Sequence, residues 1–234
     1  MRLAIIPARG GSKRIPRKNI KLFCDRPMLA WSIEAAKASG CFDRIVVSTD
    51  DEEIAAVARS CGAEVPFIRP LELSGDMAGT IPVIAHAIQT LRDQGWSASQ
   101  VCCIYATAPM LQGHDLQNGL QAMEREGCDF ALSVTTFPYP IQRAIYLKPD
   151  NRIDMFNPEN FHVRSQDLTE AYHDAGQFCW GTAEAWLDEK PVFLSDTVPV
   201  ILPRSRVQDI DTMEDWMRAE WLFKFMNRGD GELV

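Results

Sequence analysis

Short apolar runs alternate with longer stretches of mixed polarity through the first 135 residues. Leu3-Ala4-Ile5-Ile6, ended by Pro7, reads as a buried strand. Residues 28–39 place Met28, Trp31, Ile33, Ala35, Ala36 and Ala38 at helical spacing and stop at Gly40, which suits a left-handed cap. Residues 44–48 predict the next strand. Asp50 and Asp51 then put acids at the positive end of a helix that runs to about Cys61 and closes at Gly62. A third strand is expected over 64–68, a helix over 80–94 ended by Gly95, and a fourth strand over 101–105. A helix over 116–125, stopped by Gly127, and a fifth strand over 130–135 complete the series. This alternation predicts right-handed βαβ units in an α/β fold with a doubly wound, mostly parallel sheet.

The period fails after Phe137. Residues 137–172 are rich in Pro, Asn, Arg and aromatics, and an irregular stretch of that length inside a compact domain serves a function or an interface. Order then returns with a strand at 177–180, a short helix at 182–187, a strand at 198–202 and a helix at 212–226. That last helix carries Trp216, Ala219, Leu222, Phe223 and Met226 on one stripe. The 234 residues are read as one domain, 1–234, with an inserted arm at about 137–172.

Composition narrows the class. With 46% hydrophobic and 24% charged residues the chain can bury an ordinary core, and no apolar run reaches the roughly 18–20 residues of a membrane span. The start, Met1-Arg2-Leu3-Ala4-Ile5-Ile6-Pro7, does not read as a signal peptide, and seven scattered cysteines without a CxxC pair read as reduced thiols, so a cytoplasmic location is expected. A net charge of −8 argues against nucleic acid as a partner. Yet Arg2, Arg9, Lys13, Arg14, Arg17, Lys18 and Lys21 all precede the first acid, Asp25. Such a cluster, interleaved with Gly and Pro and following a strand, suits a compact polyanion; the alternative is a solvated basic arm.

The cluster's centre is the loop Pro7-Ala8-Arg9-Gly10-Gly11-Ser12-Lys13-Arg14-Ile15-Pro16-Arg17-Lys18-Asn19. In an open α/β sheet, ligands bind at the carboxyl ends of the strands. Two glycines let backbone amides approach a phosphate, and Arg9, Lys13 and Lys18 supply charge for a triphosphate. Neither GxxxxGK[ST] nor GxGxxG is present, so the loop is neither a P-loop nor a dinucleotide fingerprint.

The string IPARGGSKRIPRKNI resembles the N-terminal signature of the CMP-sialic acid synthetase family, the cytidylyltransferases that activate acidic sugars. Further similarity follows in order at Phe42–Asp50, Arg69-Pro70, Glu72-Leu73 and Gln208-Asp209-Ile210-Asp211-Thr212, and covers nearly the whole chain. Residues 133–144, 164–168, 172–178 and 202–211 resemble the pseudaminic acid branch more than the sialic acid one. The resemblance implies a Rossmann-like nucleotidyltransferase fold, a homodimer joined through the arm, and CTP, Mg²⁺ and a nine-carbon acidic sugar as its ligands. It also implies a bacterial glycan pathway such as flagellin modification.

Roles carry over by position. Arg9, Ser12 and Lys18 match positions that hold the CTP phosphates, within a nucleotide site of Ala8, Arg9, Gly10, Gly11, Ser12, Lys13, Lys18, Asn19, Arg69 and Thr80. Asp209 and Asp211 match the metal carboxylates, and Arg9, Lys18 and Asp211 are the catalytic candidates. Their spacing agrees, since residues two apart on an extended segment share a face, although Asp211 could instead cap the helix at Thr212 with Glu214 completing a capping box. Arg143, Arg164, Gln166, Tyr172, His173 and Asp174 are candidates for the sugar, whose carboxylate suits an Arg fork; His173 could equally be a hydrogen-bonded structural histidine. One departure stands out: Tyr105-Ala106-Thr107-Ala108-Pro109 lacks the Gln that contacts the sugar in sialic acid synthetases, which argues against sialic acid itself. Legionaminic, sialic and ketodeoxyoctonic acids remain alternative substrates. A nucleotide-binding regulator without catalysis is the alternative of a different class.

Overall fold

The computed structural model describes residues 1–75 and 77–227. In chain order its strands and helices are β1 (Arg2–Pro7), β2 (Leu22–Phe23), β3 (Arg26–Pro27), α1 (Met28–Ser39), β4 (Arg44–Ser48), α2 (Glu52–Ser60) and α3 (Thr80–Asp93). There follow β5 (Gln100–Ile104), α4 (Gly113–Glu126), β6 (Phe130–Thr136), β7 (Ile145–Leu147) and β8 (Ile153–Met155). The last are β9 (Tyr172–Thr182), α5 (Ala183–Leu187), β10 (Thr197–Ile201) and α6 (Met213–Met226).

Six strands form one sheet in the order β10-β6-β9-β5-β1-β4. β1 runs parallel to β4 and β5, and β10 parallel to β6. β9 lies antiparallel between β5 and β6, so the expected mostly parallel sheet carries one reversed strand near its middle. β9 is also longer than the predicted 177–180: its pairing with β6 extends back through Thr135↔His173 to Thr136↔Tyr172, past a bulge at Leu132/Val134. Polar residues at 172–177 hid this extension, because a strand end at the rim of a sheet needs no apolar run.

Alternation along β1 splits the core in two. Ala4 and Ile6 pack on one face with Leu29 and Ile33 of α1, Ile54 of α2 and Leu116 of α4. Leu3 and Ile5 pack on the other with Ile84 and Ile88 of α3 and Trp186 of α5. Helices therefore cover both faces, as a doubly wound fold requires.

The strand expected over 64–68 is reduced to one bridge, Val46↔Glu64. Glu64 donates to Ile45 and accepts from Val47, but the next donor in that parallel ladder would be residue 66, a proline without an N–H. The chain rejoins the sheet only where the Arg69 amide donates to the Thr49 carbonyl at 2.8 Å, and this sets Arg69 beside the end of β4. α4 starts at Gly113, earlier than predicted, with the capping box closed between Gln112 and Asp115. At α6 the cap is Thr212 and the box is closed by Asp215, not by Asp211 and Glu214, which leaves the Asp211 side chain outside the cap. The arm holds the β7–β8 ribbon and several single 3-10 turns.

Candidate active site

β1 leads to β4 on one side and β5 on the other, so the topological switch lies between β1 and β5. At the carboxyl ends of these strands opens a cleft of about 300 Å³. Five cations line it, Arg9, Lys13, Arg14, Lys18 and Arg69, against one carboxylate, Asp211, among the described residues. Ser12, Asn19, Thr80, Tyr105 and Thr107 add polar groups. The cleft is positive inside a protein of net charge −8, which favours a polyphosphate over a neutral ligand.

The basic loop is held in place rather than left in solvent. Ala8 is buried and its amide donates to the Ser48 carbonyl at 2.9 Å. Gly10 donates its amide to Asp50 Oδ1 at 3.0 Å, and a Cβ there would meet Asp51 Oδ2 at 2.7 Å, so the close approach needs glycine. Arg17, in the left-handed region at φ 57°, reaches both Asp51 oxygens and also Glu53. Asp51 caps α2 by accepting from Ile54 at 2.9 Å. The Arg17 hydrogen bonds, helped by that cap, hold the Asp51 carboxyl down at about 2. A carboxyl depressed in the fold stabilises it above the unfolded value near 4, and that contribution is lost as pH falls towards 2. Further along, Asn19 donates to the Arg9 carbonyl at 2.9 Å, and Ile15 is buried with Phe23, Ile210 and Trp216.

Ala8 and Gly10 thus shape the loop, a Cβ at Gly11 would meet open space, and Arg9, Ser12, Lys13, Lys18 and Asn19 face the cleft. Arg69 is buried, donates to Ser74 Oγ at 3.2 Å and lies 3.6 Å from Asp50. Burial pulls its pKa down, partly offset by Asp50. Arg9 donates to the Gly75 carbonyl at 2.9 Å, which ties the two sides of the cleft. α3 begins at Thr80 with no side-chain cap at Gly79, and both residues line the cleft, so the helix presents its unpaired amides there. Thr80 also hydrogen-bonds Tyr105, whose phenol burial pushes well above its usual range.

Asp211 lines the cleft, and Asp209, two residues away, lies within its electrostatic reach. Lys18 donates to the Ile210 carbonyl at 2.5 Å and lies 3.5 Å from Asp211, which also pairs with Arg14 at 2.8 Å. Burial and then the Asp211 charge raise the pKa of Asp209, against the pull of Lys18 and Arg14. Asp174 is raised by burial too, lowered by the Gly176 amide and raised again by Asp209, so Asp174 sits within electrostatic reach of the pair. His173 Nδ1 lies 2.8 Å from the Asp174 carbonyl. Among the described residues no group of three or more His, Cys, Asp or Glu side chains is arranged to hold a metal.

The remaining sugar candidates stand apart from the cleft. Arg143 reaches Ser165 Oγ at 3.4 Å, Arg164 pairs with Asp167 at 2.7 Å, and Tyr172 donates to Glu170 at 2.6 Å, all on the exposed arm. Gln166 lines a separate hollow of the arm with Phe137 and Tyr139. The sequence reading passed over Arg14, Tyr105, Thr107 and Gly79. Arg14 was one of seven cations with nothing to single it out. Tyr105 and Thr107 entered only through the string that departs from the sialic acid pattern, with no role of their own in the site.

The family model described as Cytidylyltransferase matches residues 3–198. A pseudaminic acid cytidylyltransferase of Campylobacter jejuni subsp. jejuni is 49% identical over 95% of this chain and 96% of its own. The CMP-N,N'-diacetyllegionaminic acid synthase of Legionella pneumophila is 30% identical, again over 95% of this chain and 96% of its own. In fold, CMP:2-keto-3-deoxy-manno-octonic acid synthetase complexed with CTP superposes with a TM-score of 0.72 at 14% identity, covering 96% of this chain and 99% of that one. With a positive cleft at the switch point, Asp211 among its lining and a family match through most of its length, the chain belongs to the cytidylyltransferase family.

Proposed function

We propose that this enzyme transfers CMP from CTP to the C2 hydroxyl of a nonulosonic acid, pseudaminic acid, and releases pyrophosphate. The observation that carries the reading is a cleft lined by five cations and Asp211, with Asp209 within electrostatic reach of Asp211, in a chain nearly half identical to a pseudaminic acid cytidylyltransferase. The C2 oxygen forms the new bond to the α-phosphorus. The oxygen bridging to the β-phosphate leaves with the electron pair, and the hydroxyl proton is released.

Asp209 and Asp211 suit a hard divalent cation, Mg²⁺, because burial and mutual repulsion leave Asp209 wanting positive charge and Asp211 already attracts two cations. When bound, Mg²⁺ would neutralise phosphate charge and lower the cost of ionising the attacking hydroxyl. The chain's own residues do the positioning. Arg9, Ser12, Lys13 and Lys18 hold the phosphates, Asn19, Arg69 and Thr80 hold the nucleoside, and the cations offset charge building on the leaving pyrophosphate.

Asp174, within electrostatic reach of Asp209, and its neighbour His173 hold the sugar end. Arg143, Arg164, Gln166 and Tyr172 sit on an arm that exposes Ile145, Leu147, Ile153, Phe156 and Phe161, the kind of surface a second copy covers in a homodimer. No helix is long and apolar enough to cross a membrane among the described residues. The test is pyrophosphate release with CTP, Mg²⁺ and a panel of pseudaminic, legionaminic, sialic and ketodeoxyoctonic acids. Turnover restricted to pseudaminic acid is expected. Turnover with another acid sinks the substrate assignment, and CTP binding with no turnover favours a regulator.

A further inference from the structure

The Asp209/Asp211 segment belongs to no strand or helix. Between the end of β10 at Ile201 and the start of α6 at Met213 the chain makes one 3-10 turn, Arg204–Arg206, and is otherwise irregular. Metal-binding carboxylates on such a stretch are only as well placed as the contacts that fix its backbone. Downstream the contacts are plain: Asp215 accepts from the amides of Asp211 and Thr212 at 3.2 and 2.9 Å, and Lys18 holds the Ile210 carbonyl.

Upstream, Gln208 donates to Asp215 Oδ1 at 3.3 Å, and the buried charged anchor is Arg206, three residues before Asp209. Its guanidinium donates two bonds to Asp115, at 2.5 Å to Oδ2 and 2.8 Å to Oδ1. The Asp115 side chain is 3% exposed and that of Arg206 12%. Asp115 is itself fixed in the capping box of α4, where its Oδ2 accepts from the Gln112 amide at 3.1 Å. The Arg206 carbonyl receives the buried Gln177 amide at 2.5 Å, from β9. A buried ion pair adds little net stability compared with apolar residues of similar volume, but its two parallel bonds fix orientation tightly. Arg206 and Asp115 do not line the cleft, so their pairing acts on it only through the backbone that leads to Asp209.

We propose that Arg206, locked to Asp115, is a positioning residue that sets the Asp209/Asp211 carboxylates for the divalent cation. This rests on the reading of that pair as the cation ligands. Without the fork, the upstream side keeps the Gln177 bond to the Arg206 carbonyl and the Gln208 side-chain bond to Asp215 Oδ1 at 3.3 Å, neither of which supplies a paired, charged fork. The cation site then loosens while the phosphate-binding loop, tied to β4 and α2, keeps its shape.

The experiment compares wild type with Arg206→Lys, Asp115→Asn and Asp209→Asn. It follows Mn²⁺ held by each protein–CTP mixture, in excess of that held by free CTP, by electron paramagnetic resonance. CTP binding without metal is measured by calorimetry and the melting temperature is recorded for each. Lys keeps the charge and loses the fork, and Asn keeps the size and loses the charge, so folded protein is expected from at least one. Mn²⁺ affinity should fall about tenfold in Arg206→Lys and Asp115→Asn, with metal-free CTP affinity within about twofold of wild type. Wild-type Mn²⁺ affinity in a folded Arg206→Lys, while Asp209→Asn loses the ion, overturns the positioning role and leaves the acidic pair standing. Equal losses of Mn²⁺ and metal-free CTP binding show general loosening and overturn it too. An Asp209→Asn variant that holds Mn²⁺ like wild type removes the reading of the pair, and this inference with it.

Discussion

The basic loop at residues 8–19 is tied to the rest of the fold every few residues, whereas the arm at 137–172 is tied mainly to itself. Ala8 bonds to β4, Gly10 to Asp50, Arg17 to the first turn of α2 and Lys18 to the segment before α6. These of the arm's polar contacts stay within it: Phe156 to Ala144, Lys148 to Arg152, Gln142 to Thr169 and Arg164 to Asp167. Its ribbon leaves Leu147 70% and Ile153 63% exposed, and Phe156 64%. One region is preorganised by a single chain, so binding there costs little ordering. The other presents apolar surface and unfocused arginines, consistent with a half-site that a second surface completes, which is the role proposed for a partner copy.

Three substitutions sharpen this contrast. The largest effect is expected at the nucleotide end. Lys18→Ala removes a cation that touches both the cleft and the Asp211 segment, and kcat/KM for CTP should fall roughly a hundredfold or more. A drop below about fivefold would mean that Lys18 only braces the Ile210 loop. A smaller loss is expected on the arm: Arg143→Ala or Arg164→Ala should raise KM for the sugar about tenfold and leave KM for CTP unchanged. Two-substrate initial rates separate these constants. A matching rise in KM for CTP would erase the division between the regions.

Much of the sheet was legible because its strands are buried on both faces and read as apolar runs. Residues 64–68 misled the reading, because Val65, Phe67 and Ile68 look like a strand while Pro66 removes the donor that would extend the ladder. β9 was shortened for the opposite reason, since its polar end at 172–177 still pairs with β6. In the cleft, Arg9, Ser12, Lys13, Lys18, Asn19, Arg69, Thr80 and Asp211 were found from the loop and the resemblance, and the fold brings them together. Arg69 and Thr80 are distant from the loop in sequence, and no local pattern marks them. The sugar candidates remained scattered because their meaning depends on tertiary and subunit contacts. The bracing pair Arg206–Asp115 was invisible, since neither residue lies in a motif that names its partner.

The most direct measurement is phosphorus NMR of the protein mixed with CTP, Mg²⁺ and pseudaminic acid. Equal growth of pyrophosphate and a phosphodiester of CMP with the sugar, as the CTP signals fade, is the expected result. CTP that stays intact, or that yields free CMP and pyrophosphate without a sugar ester, would contradict CMP transfer by this cleft.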